Sequence, residues 1–143
     1  MFTEANAALD FILAGKARFT LTSKVSGKSF TFKVNAPKNR ETDRSILFVK
    51  VLNGPNNAWN GDWLFLGFIR PDNSFRLAGG KKGHPEALSF RAMDWTLNQL
   101  FKGKIPETLE IRHEGQCGRC GRALTRPKSI DSGFGPECIT KLI

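Results

Sequence analysis

The spacing of three cysteines near the C-terminal end constrains this chain more than any other feature. Cys117 and Cys120 form a C-x2-C pair, and Cys138 follows in the pattern C-x2-C-x17-C. Such a pair can chelate one ion from a tight turn, and Gly121 directly after it tolerates the positive φ that the turn often needs. Glycines and prolines further on allow the chain to return to the pair. The pattern predicts one zinc ion in a closed, structural site.

The fourth ligand of a tetrahedral site must come from outside the cysteines. We expect it to be His113, because an imidazole at the end of a strand just before the pair can reach the same ion. His84, in a basic loop upstream, is the main alternative. Three carboxylates also remain open as ligands: Glu114, Asp131 and Glu137. Since this tail has few large apolar residues, metal binding is expected to supply much of its folding free energy.

Other uses of the cysteines fit the sequence poorly. A redox C-x2-C pair normally accompanies a βαβ pattern, which the chain lacks. A nucleobase deaminase requires H-x-E and P-C-x-x-C, whereas Glu114 follows His113 directly and no proline precedes Cys117. The chain also has no nucleophile elbow, no H-E-x-x-H and no convincing carboxylate pair. We therefore expect a protein that is not an enzyme.

The hydrophobic periodicity upstream of the cysteines predicts the fold class. A helix is expected from an N-cap at Thr3 to a stop at Gly15, and a second helix over about residues 85–102. Period-two alternation predicts a hairpin with one apolar face and one polar, partly basic face, then further strands. The predicted strands lie near residues 18–22, 29–34, 46–52, 63–70, 75–78 and 109–112. This is an α+β fold: a mainly antiparallel sheet of about five to six strands packed by two helices. We divide it into a body, residues 1–112, and a zinc-binding tail, residues 113–143.

Charge indicates the kind of partner. The chain has 22 Lys and Arg against 13 Asp and Glu, a net charge of +9 and a pI near 9.9. A small domain this basic is attracted to polyanions, so we expect DNA or RNA as a partner, with an acidic protein face as the alternative. The candidate contact residues are Arg119, Arg122, Arg126, Lys128, Lys81, Lys82 and Trp59.

The three tryptophans have different expected roles. Trp59 lies in an Asn- and Gly-rich loop and is expected to be partly exposed, where it can stack on a base or anchor a partner. Trp63 is expected to begin a strand and to lie in the core. Trp95 lies off the apolar stripe of the second helix (Phe90, Met93, Leu97, Leu100 and Phe101) and is a candidate to pack under the tail.

The stretch CGRCGRALTRPKSIDSGFGPEC resembles a small zinc-ribbon-like domain of unknown function that is common in bacteriophage and actinobacterial proteins. The motif is C-x2-C-G-R-x-L-T, then P-x-S-I, then S-G-x-G-P-x-C. Upstream, ILAGKARFTLTSK, VLNGPN and a W-x-F-L-G strand are similar to the bodies that precede this domain. The resemblance covers most of the chain. It implies a phage-type zinc-binding protein, with the metal on Cys117, Cys120 and Cys138, and brings no established activity.

These observations predict a zinc-containing, basic, phage-type nucleic-acid-binding protein. The alternative is a phage protein that binds and modulates a host protein complex, in transcription or anti-phage defence, without catalysis. An odd number of cysteines fits poorly with a secreted disulfide framework. The first residues lack the basic region of a signal peptide, and no apolar run approaches the ~18 residues of a membrane span. We expect a cytoplasmic protein, in the host cell if phage-encoded, with reduced thiols.

Overall fold

The computed structural model describes residues 2–36, 46–52, 63–70, 75–77, 88–124 and 127–141. The helices are α1 (Ala5–Ile12), α2 (Leu88–Phe101) and α3 (Pro127–Ser132), and a 3₁₀ helix spans Cys138–Lys141. The strands are β1 (Lys16–Ser23), β2 (Ser29–Asn35), β3 (Leu47–Leu52), β4 (Trp63–Ile69), β5 (Phe75–Leu77) and β6 (Leu109–His113). The predicted α+β class and the predicted order of the main elements are confirmed.

The strands form one six-stranded sheet in the order β5-β4-β3-β2-β1-β6. Every neighbouring pair is antiparallel, so β1 to β5 make a meander and β6 adds to the free edge of β1. A register shift between Val49 and Lys50 interrupts the pairing of β3 with β4. The C-terminal strand therefore brings the cysteine segment next to the beginning of β1.

One face of the sheet carries the apolar positions of the alternating strands. Phe19 of β1 pairs with Phe32 of β2, and their rings are stacked with centroids 5.8 Å apart. The buried side of α2, Met93, Leu97 and Leu100, belongs to the same core. The sheet is therefore packed by helices on the face that the alternation predicts to be apolar.

The ends of α1 differ from the prediction. The N-cap residue is Glu4, with extended backbone angles and no side-chain capping bond, rather than Thr3. The helix ends at Ile12, and Gly15 takes a φ of 118° in the turn into β1.

None of the helices that the structure describes combines the length and apolar character that a membrane span requires. The predicted start of α2 lies outside the described residues.

The tryptophans and the stripe on α2 follow the prediction in part. Trp63 begins β4 and is 7% exposed, so it is buried as predicted, but it lies outside the apolar core cluster, on the opposite face of the sheet. Trp95 is 43% exposed and faces the β1–β2 hairpin, so its predicted position under the tail is wrong. Phe101, predicted to belong to the apolar stripe, is exposed at the end of the helix.

The segment after β6 packs on the core of the body. Phe134 and the buried cysteines belong to the same apolar cluster as Phe2 and Phe11. The rings of Phe134 and Phe11 lie edge to face with centroids 5.9 Å apart. The apolar residues of the tail thus add to an existing core, although the boundary near residue 112 itself stays a prediction.

Candidate metal centre

The cysteine pair lies in a tight hairpin that we call the cysteine turn, residues 116–123. Gln116 and Ala123 form a β-bridge across it. Inside this bridge the Cys117 amide donates to the Arg122 carbonyl at 2.8 Å, and the Gly121 amide donates to the Cys117 carbonyl at 2.9 Å. Gly121 has a φ of 80°, as the sequence predicted. The backbone therefore fixes the two cysteines relative to each other before any metal binds.

Gly118, inside the cysteine turn, joins it to two other parts of the fold. The Lys16 amide at the start of β1 donates to the Gly118 carbonyl at 2.8 Å. The Gly118 amide in turn donates to the Gly133 carbonyl at 2.9 Å. The turn is therefore hydrogen-bonded on one side to the sheet and on the other to the segment that carries Cys138.

The returning segment contains a helix that the sequence did not predict. Pro127 begins α3, where a residue without an N–H is well tolerated. Gly133, with a φ of 80°, follows the last helical residue and donates to the Ser129 carbonyl, as expected of a C-terminal glycine cap. Cys138 itself opens the 3₁₀ helix that follows. The signals of Pro127 and Gly133 were in the sequence but were interpreted as breakers.

The three cysteine sulfur atoms lie within 4.8 Å of one another. Three sulfurs bound to one tetrahedral zinc at about 2.3 Å would be about 3.8 Å apart, so a small closure completes the geometry. Cys117 and Cys138 are buried, Cys120 is half-buried, and all three are free thiols. The cluster can hold a metal ion, and the predicted convergence of the three cysteines is confirmed.

Backbone donors surround the sulfur of Cys117. The amides of Arg119 and Gly135 each donate to this Sγ at 3.4 Å. Burial raises the pKa of the Cys117 thiol, but hydrogen bonds from Gly135, Cys120 and Arg119 outweigh it and lower the pKa from 9.0 to about 7. Because the thiolate is the form that binds metal, the fold favours the ligating form of Cys117.

Cys138 has the opposite electrostatic environment. Burial raises the pKa of its thiol, and Cys120 and Cys117 raise it further, against the opposing effect of Arg119. The Arg119 guanidinium Nη1 lies 3.9 Å from the Cys138 sulfur. The half-buried Arg119 is thus placed to offset the negative charge that thiolates would carry, and its predicted role in partner binding stays a prediction.

His113, the predicted fourth ligand, is not brought to the sulfurs. It pairs with Phe19, so its ring lies on the core face of the sheet, 5.8 Å from the Phe2 ring and 5.6 Å from the Phe11 ring. The Gly115 amide donates to Nδ1 at 2.9 Å, and Nε2 donates to the Ile130 carbonyl. Both ring nitrogens are thereby used, with the proton on Nε2. In this arrangement His113 has no lone pair for a metal and instead ties β6 to α3.

The remaining candidate ligands are distributed as follows. Glu114 and Glu137 do not belong to the group of potential ligands that the sulfurs form. His84 and the side chain of Asp131 lie outside the part that the structure describes. Among the candidate contact residues, Arg122 and Lys128 are exposed near the cluster, and the predictions for Arg126, Lys81, Lys82 and Trp59 fall outside the described residues.

A second feature appears only with the strand register. On the face of the sheet opposite the core, Arg18, Lys33 and Lys50 lie side by side across β1, β2 and β3. The row continues onto β4, where Phe65 pairs with Lys50. Phe48 and Phe68 form a neighbouring cross-strand pair on this face. We call this surface the basic–aromatic face; only the hairpin part of it was visible in the sequence.

The cations of this face crowd one another and an indole ring. The Lys33 ammonium lies 4.9 Å from the Trp63 ring centroid, and the Arg18 guanidinium carbon lies 5.7 Å from it. Burial lowers the pKa of Lys33, and the charges of Arg18 and Lys50 lower it further. Positive potential is thus concentrated where aromatic side chains are half-buried on the same surface.

The fold and the site together define an α+β protein with a C-terminal cluster of three cysteines that can hold a metal ion. A model of a family of unknown function (DUF6011) matches residues 107–143, the segment that contains all three cysteines. No curated protein and no solved structure matches the chain. The family match covers the metal-site segment and leaves the body to be interpreted from its own surface.

Proposed function

We propose that this chain is a zinc-stabilised protein of bacteriophage type that binds single-stranded nucleic acid. The basic–aromatic face carries the binding part of the proposal, and the sulfur cluster carries the zinc part. The phage origin rests on the sequence resemblance alone.

Zinc is the metal that this donor set favours. Three thiolates suit a borderline-soft ion with no geometric demand of its own, and zinc accepts a tetrahedral site completed by a nitrogen, oxygen or water ligand. Metal analysis of protein purified without chelator should give one zinc per chain, and protein without zinc would overturn this part. His84→Ala, which tests the main remaining ligand, should change the visible spectrum of the cobalt-substituted protein if His84 completes the site.

Nucleic acid fits the chemistry of the basic–aromatic face. On the described strands this face also carries Lys16 and Arg112. It carries the acidic Glu110 as well, whose Oε1 forms a salt bridge with Arg112 Nη2 at 2.6 Å. Lys and Arg bind phosphates, and aromatic rings stack on bases. A surface that offers both at the spacing of neighbouring strands therefore suits a strand of nucleic acid laid across the sheet.

The rings favour unpaired bases. Phe48, Phe65 and Phe68 are half-buried on the sheet and cannot reach bases stacked inside a duplex. Bases of a single strand can turn toward the protein and stack, each such contact contributing about 1–3 kcal/mol. Single-stranded DNA or RNA is therefore the proposed ligand, with a phosphate contribution that depends on salt.

The test is a salt titration with a fluorescein-labelled oligothymidine, an oligouridine and a matched duplex. The logarithm of the binding constant should fall linearly with the logarithm of the salt concentration, and the single strands should bind more tightly than the duplex. Lys50→Ala should weaken binding and reduce the salt slope by about one, because one phosphate contact is lost. Lys102→Ala, an equal change of charge at an exposed position after α2, is the matched control.

Phe65→Leu tests the stacking contribution. The substitution keeps the side chain apolar, so the fold should be retained while affinity for the single strands falls and affinity for the duplex does not. Absence of binding to any of the three probes at low salt would overturn the proposal. If Lys50→Ala and Lys102→Ala lower the affinity for the single strands equally, the binding is nonspecific attraction by net charge and the basic–aromatic face is not the site.

A further inference from the structure

A groove opens on the helix-bearing side of the sheet, between α2, the β1–β2 hairpin and the start of β6. Its volume is about 620 Å³, within the range of about 300–1,000 Å³ that is typical of binding pockets. Leu21, Val25 and Phe30 line it from the hairpin, Leu88 and Trp95 from α2, and Leu109 from β6. It lies on the face of the sheet opposite the basic–aromatic face.

Exposed apolar side chains are concentrated at this groove. Val25 is 80% exposed, Leu88 54% and Trp95 43%, and all three line it. Scattered apolar side chains are normal on a protein surface, but a contiguous apolar patch marks an interaction site. An exposed tryptophan at the edge of such a groove is a typical anchor for a partner protein.

The polar groups of the groove define the charge of its occupant. Lys28 and Arg91 line it, and none of the described residues that line it carries a carboxylate. The groove thus combines an apolar surface with positive charge.

We propose that this groove binds an acidic amphipathic segment of a partner protein. Apolar side chains of the segment fill the space beside Trp95, and its carboxylates pair with Lys28 and Arg91. A second copy of this chain is a poor occupant, since two molecules of net charge +9 repel each other and the same cations would meet. A nucleic acid is also a poor occupant, because its phosphates would meet only two cations among the described residues that line this apolar groove.

The test uses the entire 143-residue chain, loaded with zinc, and a display library of random peptides that can lie in the groove as an extended or helical segment. We expect selected peptides to combine Asp or Glu with Leu, Phe or Trp. One selected peptide, labelled with fluorescein, is then titrated against variants. Trp95→Ala and Arg91→Glu should each weaken binding by about tenfold or more, as expected for anchor positions.

Two variants serve as matched controls. Phe101→Ala removes an exposed apolar side chain from the same helix outside the groove, and Lys102→Glu reverses a charge nearby. Both should leave peptide affinity unchanged. Should Trp95→Ala fail to fold, Val25→Asp provides a substitution at a position that is 80% exposed.

Several results would overturn the inference. These are selection of basic or uncharged peptides, absence of any enriched peptide, and equal affinity of the groove variants and the controls. Displacement of the peptide by an oligonucleotide would assign the groove to nucleic acid, and dimerisation abolished by Trp95→Ala would assign it to a second copy. None of these readouts depends on single-strand binding by the basic–aromatic face, so the two proposals can fail separately.

Discussion

The ring of Phe11 lies 2.6 Å from the position that a Cβ atom on Gly118 would take. A Cβ on Gly133 would also be 2.6 Å from this ring. Phe11 is fully buried, so its ring is held between the cysteine turn and the segment that returns with Cys138. The first helix therefore positions the cysteine cluster through a contact that only glycine permits.

Gly118→Ala should destabilise the protein by about 1–3 kcal/mol, the usual cost of overpacking a core. The backbone angles of Gly118 are not restricted to glycine, so the expected effect comes from the clash with Phe11 alone. The measurement is chemical denaturation of the zinc-loaded protein. Gly135→Ala is the control, because nothing lies within 4 Å of a Cβ there. If Phe11→Leu costs as much stability in the Gly118→Ala background as in the unmodified protein, the clash is not the cause.

His113→Leu should lower stability by about 1–3 kcal/mol while leaving the metal content unchanged. The substitution removes the partner of the Gly115 amide and of the Ile130 carbonyl, and each hydrogen bond contributes about 0.5–1.5 kcal/mol. The visible spectrum of the cobalt-substituted variant should match that of the unmodified protein. A folded variant with an altered spectrum or without metal would restore His113 as the fourth ligand.

The metal-free protein should become more stable as the pH rises from about 7 to 9. The pKa of Cys117 is lowered from 9.0 to about 7 in the folded state, so the folded chain binds fewer protons than the unfolded chain in this window. This stabilisation is lost as the pH falls through the folded pKa.

The raised pKa of Cys138 acts in the opposite direction, but only above the unfolded value of 9.0. Denaturation in the presence of chelator across this range measures the trend. Cys117→Ser should flatten the slope below the unfolded pKa, and a variant that keeps the full slope would assign it to another group.

Cys120→Ser should loosen the tail before the sheet. The tail packs on the body through Phe11 and Phe134, so amide hydrogen exchange should increase over residues 115–141 and in α1. The paired strands β2 and β3 should stay protected, because their core is formed by the body. Ser26→Ala, an exposed change in the hairpin turn, is the control; uniform loss of protection in Cys120→Ser would show that body and tail unfold as one unit.

Local sequence determined the order of the elements and the convergence of the cysteines. Period-two alternation marks which side of a strand is apolar, and the apolar positions of β1 and β2 face the core as predicted. Gly121 was predicted to need a positive φ from its place after the pair, and it has one. Signals of this kind depend on a few neighbouring residues, which is why they can be detected in a single sequence.

The tertiary structure decided the contacts between residues far apart in the chain. Alternation assigned Arg18, Lys33 and Lys50 to the polar sides of their strands, but only the register aligns them. The hydrogen bond of His113 to the Ile130 carbonyl needs α3, which the sequence did not predict. The exposure of Trp95 likewise depends on where the hairpin packs. The sequence alone thus shows which side chains can bind a metal, a phosphate or a partner. Folding decides which of them become neighbours, because these contacts join residues that are far apart in the chain.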